Sequence, residues 1–81
     1  MARIIDGDKK NIIGDNLKKL RHNAKMSQQQ LSNKLKLIGV YICRGSVSGI
    51  EDMTRTVTDI ELYALAEVFG VTHQELFPKK N

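Results

Sequence analysis

Apolar residues recur at helical spacing early in the chain. Side chains three, four or seven positions apart share one side of a helix, and this spacing repeats over about residues 11–25. The apolar side chains on that side are Ile13, Leu17, Leu20 and Ala24. We therefore predict a first helix here. Residues 1–10 lack this period, and we interpret them as an irregular arm or a short extended piece.

A second helix is predicted to begin after Ser27. Ser27 and Gln30 have the spacing of a capping box, in which each side chain accepts a hydrogen bond from the other residue's free backbone N–H. Leu31 and Leu35 then fall on the buried side, and the pattern fades near Lys36.

The stretch that follows, residues 36–43, is apolar and contains Gly39. Its composition would also fit a strand, but its neighbours are helical in pattern and the sequence offers no partner strand. We interpret it as a connection between helices. A third helix is predicted over about residues 44–52, with Val47 and Ile50 facing inward.

Two further capping pairs predict the remaining helices. Thr58 and Glu61 begin a helix that ends at Gly70, a residue suited to the left-handed backbone of a C-terminal cap. Its core-facing positions are Leu62, Leu65, Ala66 and Phe69. Thr72 and Glu75 begin a last short turn, which the only proline closes.

These patterns predict an all-α fold of five short helices in one domain. A chain of 81 residues suffices for a single small core. We divide it into an N-terminal arm, a helical domain and a C-terminal tail, at residues 1–10, 11–78 and 79–81. The chain lacks a membrane-length apolar run and a signal-peptide pattern, and its single cysteine cannot form an internal disulfide. These features favour the cytoplasm.

Sequence motifs of enzymes and metal sites are missing. His22 and His73 lie on different predicted helices, without a second cysteine or paired acids at metal-ligand spacing. The sequence has no glycine-rich phosphate loop, nucleophile elbow or catalytic triad pattern. We therefore expect no catalytic activity, metal, cofactor or small-molecule ligand.

Charge is unevenly distributed along a chain of net charge +4. Residues 1–55 contain eleven Lys and Arg against five Asp and Glu, whereas residues 56–81 contain two against four. A basic first part favours a polyanionic partner, although a solvated lysine-rich surface would give the same counts.

Four short segments stand in a recognisable order. They begin at Leu17, Ser27, Val47 and Leu65, and they read LKKLR, SQQQLS, VSGIE and LAEVFGV. Together they resemble the lambda repressor/Cro-type family, also called the xenobiotic-response-element type, and the resemblance covers residues 12–77. It implies a five-helix bundle whose second and third helices form a helix-turn-helix. The third helix would lie in the major groove of double-stranded DNA, and the protein would be a transcriptional regulator.

Carried over by position, the recognition helix is residues 44–52. Its groove-facing positions are Arg44, Gly45, Ser46, Ser48 and Gly49. Arg44 would donate two hydrogen bonds to guanine, with a phosphate contact or plain solvation as alternatives. The serines would donate to a phosphate or a base edge, or serve as caps or stay solvated. Two features depart from the family: the connection before this helix is longer by about five residues, and the two glycines offer the bases no side chain.

The resemblance also implies residues that bind phosphate. Gln28, at the first turn of the second helix, matches a family phosphate position, with a plain surface glutamine as the alternative. The other candidates are Arg55, Arg21, Lys9 and Lys10. Lys9, Lys10 and Arg3 would form an arm that reaches a groove, although mobile termini are often basic without such a role.

Arg21 and Glu51 correspond to a family ion pair between the first and third helices. We expect this partly buried pair to position the recognition helix. Cys43 adjoins Arg44, and a nearby cation can lower the pKa of a thiol. A redox switch is therefore one interpretation of Cys43, and a small half-buried residue is the other.

Family members usually act as dimers on half-sites about one helical turn apart. A second apolar stripe on the fourth helix, joined by two residues of the last turn, would supply a dimer seam or belong to the protein's own core. It consists of Ile60, Ala64, Val68, Leu76 and Phe77. Because one fold serves many functions, a protein-interaction module, such as an antitoxin or an adaptor, is the alternative function.

Overall fold

The computed structural model describes residues 7–79, and all of its regular elements are helical. They are α1 (Gly14–Asn23), α2 (Gln28–Leu37), α3 (Arg44–Glu51), α4 (Asp59–Phe69) and a 3₁₀ helix (His73–Leu76). Residues 7–79 contain no strand. The all-α prediction is confirmed. Of the predicted arm, residues 1–6 lie outside the described residues, and residues 7–10 precede α1 without helical structure.

The predicted count of five helices needs one correction, because the last is a single 3₁₀ turn. Its hydrogen bonds join residues three apart, such as Glu75 N to Thr72 O at 3.0 Å. Phe77 is extended, as expected before Pro78, because the proline ring disfavours helical backbone in the preceding residue. The turn therefore cannot lengthen into an α-helix.

Local capping sets the starts of α2, α4 and the 3₁₀ helix. The predicted capping boxes of Ser27 with Gln30, Thr58 with Glu61, and Thr72 with Glu75 are all present. Gly70 ends α4 with a φ of 64°, as predicted for a left-handed cap.

The start of α1 was predicted wrongly, because Asn11 lies outside the helix. Its Oδ1 accepts hydrogen bonds from the backbone N–H groups of Ile13 and Gly14, both at 3.0 Å. Its Nδ2 donates to the carbonyl oxygens of Ile50 at 3.1 Å and Arg55 at 2.8 Å. Asn11 thus caps α1 and fastens it to the end of α3.

Every helical element contributes to one core. Its fully buried large side chains are Leu17, Leu31, Leu35, Val47, Ile50, Leu65 and Leu76. The assignment of Ala24 to the core face was wrong, since Ala24 is exposed. The reason is that α1 ends at Asn23 and the chain then turns through Lys25, whose φ is 54°. No helix in the described part of the chain is long and apolar enough to cross a membrane.

The connection between α2 and α3 is an ordered loop rather than a tight turn. Gly39 reverses the chain with a φ of 89°, and Val40 N donates to Leu35 O at 3.0 Å. Ile42 is only 2% exposed and joins the core. Ser32 Oγ donates to Ile42 O at 2.6 Å. The loop is therefore fastened both to the core and to α2.

Candidate nucleic-acid interface

Helix α3 has one side in the core and the other towards solvent. Val47, Ile50 and Glu51 are buried, as predicted for the first two. The five base-contact candidates remain accessible: Arg44 and Gly45 are exposed, and Ser46, Ser48 and Gly49 are half-buried. The structure thus leaves this set open to a ligand.

The two glycines of α3 differ in their surroundings. A Cβ built on Gly45 meets no atom within 4 Å, and its φ is not positive. Neither space nor backbone conformation therefore requires glycine at position 45. A Cβ built on Gly49 would lie 3.3 Å from Arg55 Cβ, which is a tight contact with a side chain.

The predicted ion pair joins α1 to the end of α3. Arg21 Nε donates to Glu51 Oε2 at 2.5 Å, and Arg21 Nη2 donates to Glu51 Oε1 at 3.0 Å. The two residues are 8% and 4% exposed. The hydrogen bonds to Glu51 raise the pKa of the Arg21 guanidinium above its ordinary value, against the opposing effect of burial.

Arg21 and Gln28 are both occupied within the protein. Arg21 Nη1 donates to Met26 O at 2.8 Å, so the guanidinium also holds the α1–α2 turn. Gln28 Nε2 donates to Glu51 Oε1 at 3.1 Å. Glu51 therefore receives hydrogen bonds from α1 and α2. We call Arg21, Gln28 and Glu51 the buried polar cluster; it favours a structural role for Arg21 over phosphate binding.

Arg55 forms an ion pair that the sequence reasoning missed. Its Nη1 and Nη2 donate to Glu61 Oε1 and Oε2 at 3.0 and 2.8 Å, and its side chain is 32% exposed. Hydrogen bonding to Arg55 lowers the pKa of the Glu61 carboxyl. Since Glu61 also caps α4, Arg55 links the segment after α3 to the start of α4.

The basic residues before α1 lie on the surface. Lys9 and Lys10 are exposed, and Lys10 N donates to Met53 O at 2.9 Å. This hydrogen bond places Lys10 beside the end of α3. Arg3 lies outside the described residues.

Cys43 immediately precedes α3 as its N-cap residue. It is exposed, so its interpretation as a small half-buried residue was wrong. Its Sγ lies 3.4 Å from Ser46 Oγ, within hydrogen-bond distance for sulfur. Hydrogen bonding to Ser46, rather than the charge of Arg44, is the main cause that lowers the pKa of the thiol.

Comparison with known proteins identifies the arrangement. The Helix-turn-helix family model matches residues 17–76. This chain belongs to the lambda repressor/Cro-type helix-turn-helix family. Two solved structures are similar to it. The restriction-modification controller protein C.AhdI from Aeromonas hydrophila is 28% identical, with a TM-score of 0.71 over 80% of this chain and 91% of that one. The DNA-binding domain of BldD is 27% identical, with a TM-score of 0.72 over 91% of this chain and all of that one. No protein of curated function matches the sequence.

In this helix-turn-helix protein, two of the dimer candidates belong to its own core. Ala64 is 2% exposed and Leu76 is fully buried, so their assignment to a surface seam was wrong. Val68 and Phe77 are half-buried against the core. Of the five candidates, Ile60 alone is largely exposed, at 68%, and Tyr63 beside it on α4 is 71% exposed.

Proposed function

We propose that this protein is a transcriptional regulator that binds specific double-stranded DNA sequences with α3 in the major groove. The observation that carries the proposal is the setting of α3: the buried polar cluster holds its inner side, and its outer side is left open. Charge supports it, because the sequence from residue 16 to residue 50 contains seven Lys and Arg and no acidic residue. A polyanion would meet little repulsion there.

In this proposal, Arg44 is the main reader of base sequence. It stands in the first turn of α3, where its guanidinium can donate two hydrogen bonds to guanine O6 and N7. Ser46 and Ser48 supply shorter donors. Gln28 lies at the start of α2, where free backbone N–H groups favour a phosphate oxygen. Its amide is already bonded to Glu51, so α2 and α3 would approach DNA as one unit.

The proposal is tested by selecting bound sequences from a random duplex pool. We expect enrichment of a defined site and binding that weakens steeply with salt, as for about 4–6 phosphate contacts per subunit. Arg44→Ala should reduce discrimination between the selected and an unrelated duplex by about 5- to 100-fold, whereas Lys79→Ala should leave it unchanged. Failure of the wild type to enrich any sequence would reject the proposal and favour a protein-interaction module.

Gly45 provides a second test at the same surface. We propose that its missing side chain lets the α3 backbone approach DNA closely, which makes part of the specificity depend on DNA shape. Gly45→Ala should leave the fold as stable as the wild type or more so, yet weaken binding to the selected duplex. Unchanged affinity would show that the glycine serves no close approach.

We further propose that the protein binds DNA as a homodimer, with Ile60 and Tyr63 at the contact between copies. Both are large and exposed on α4, outside the proposed DNA surface. Sedimentation analysis of the complex with a palindromic duplex should give two protein chains per duplex. Ile60→Asp should reduce this stoichiometry to one. A one-to-one complex of the wild type would contradict the dimer.

A further inference from the structure

The loop between α2 and α3 presents a tyrosine beside the proposed recognition helix. Tyr41 is 76% exposed, although it lies between half-buried Val40 and buried Ile42. It lies three positions before Arg44, the first residue of α3. The longer connection, which distinguishes this chain from family members with a tight turn, thus carries an exposed aromatic side chain close to the start of α3.

The support beneath Tyr41 is fixed. Ile42 is anchored in the core, and its carbonyl oxygen accepts the hydrogen bond from Ser32 Oγ at 2.6 Å. On the other side, Val40 N donates to Leu35 O at 3.0 Å. A residue whose neighbours are already ordered loses little backbone entropy when it binds a ligand. Tyr41 is therefore placed as a preorganised contact.

Tyr41 shares a surface groove with a lysine and with one of the base-contact candidates. The groove has a volume of about 350 Å³. Its lining residues are Ser32, Lys36, Tyr41, Ile42, Cys43 and Ser46. These residues supply an ammonium group and several hydroxyl donors but no carboxylate, which fits an anionic ligand. The groove also continues onto α3 through Ser46.

We propose that Tyr41 and Lys36 bind the phosphate backbone of DNA beside the major groove that α3 occupies. Tyr41 donates its hydroxyl to a phosphate oxygen, and Lys36 contributes its charge. Such contacts fix the position of a protein on the duplex without reading its sequence. The inference rests on the proposed function. It gives the long connection a role: the loop adds affinity and register to a helix that offers the bases no side chain at positions 45 and 49.

The test measures Kd on the selected and an unrelated duplex over a range of salt. Tyr41→Phe removes only the hydroxyl and should weaken binding to both duplexes by about 3- to 10-fold, the usual effect of one hydrogen bond. Lys36→Gln should lower the slope of log Kd against log salt by about 1. Lys79→Gln, a lysine outside the proposed DNA surface, is the matched control and should bind as the wild type does. Urea unfolding of each variant confirms that the fold is intact.

Three results would overturn the inference. Tyr41→Phe that binds as tightly as the wild type removes the tyrosine contact, and a loop that binds another protein would give this result. A loss confined to the selected duplex would make Tyr41 a base reader. An unchanged salt slope in Lys36→Gln removes the lysine contact. The proposed function stands in each case if the wild type still selects a sequence and Arg44→Ala still discriminates less between the two duplexes. A wild type that selects no duplex defeats the proposed function itself.

Discussion

Removing the carboxylate of Glu51 should be the most damaging single change in the buried polar cluster. Glu51→Ala leaves the guanidinium of Arg21, a residue that is 8% exposed, without its counter-charge. It also removes the acceptor of the 3.1 Å hydrogen bond from Gln28. Breaking one side of a buried ion pair typically costs about 3–5 kcal/mol. A domain of this size is stable by roughly 4–12 kcal/mol, so we expect the variant to lose about a quarter of its stability or more.

The assay is urea unfolding at pH 7, followed by helical circular dichroism. Replacing both charged partners, as in Arg21→Met with Glu51→Leu, should recover most of the loss, because no buried charge is then left unpaired. The matched control is Arg55→Met, which removes the arginine of the more exposed pair with Glu61 and should cost about 1 kcal/mol or less. If the free energy of unfolding of Glu51→Ala lies within about 1 kcal/mol of the wild-type value, the cluster does not stabilise the fold as we argue.

Three further predictions concern other parts of the fold. Gly14→Ala should destabilise by about 1–3 kcal/mol, because its Cβ would overlap the backbone carbonyl oxygen of Ile50. Unchanged urea unfolding would contradict the close approach of α1 and α3. Lys25→Gly should stabilise by up to about 1 kcal/mol, since the φ of 54° suits glycine; a lower melting temperature would contradict this. The pKa of Glu61 is lowered in the folded protein, so its pairing with Arg55 stabilises the fold at pH values above the unfolded pKa of about 4.3. This stabilisation is lost as the pH falls through the folded pKa. Arg55→Met should raise the Glu61 pKa in an NMR titration and reduce this acid dependence, and an unmoved pKa would show that the pair is absent in solution.

The features that the sequence predicts well are those determined by near neighbours. A capping box involves residues three positions apart, so Ser27 with Gln30 and Thr58 with Glu61 can be identified before any fold is known. The contacts of Asn11 with the carbonyls of Ile50 and Arg55 span 39 and 44 positions. No local pattern indicates such partners, and the start of α1 was therefore placed too early.

Helix α4 shows why its two sides could not be told apart from spacing alone. Apolar residues surround most of this helix, and a helix that is apolar on several sides gives a weak directional signal. The stripe assigned to a dimer seam contains Ala64, which the structure buries. Ile60, four positions earlier, is exposed. Only the packing of α4 against the other helices decides which apolar residue is covered.

The family resemblance supplied the Arg21–Glu51 pair but was silent where this chain departs from the family, in the loop of residues 38–43. Variants of the buried polar cluster and variants of the DNA surface should therefore differ in their effects on stability and affinity. Changes in the buried polar cluster should lower stability and DNA affinity together, because α3 is then poorly held. Changes at Arg44 or Tyr41 should lower affinity alone, because both side chains are exposed. If a Tyr41 variant unfolds at a lower urea concentration than the wild type, Tyr41 has a structural role. The loop would then be a structural insertion rather than part of the DNA surface.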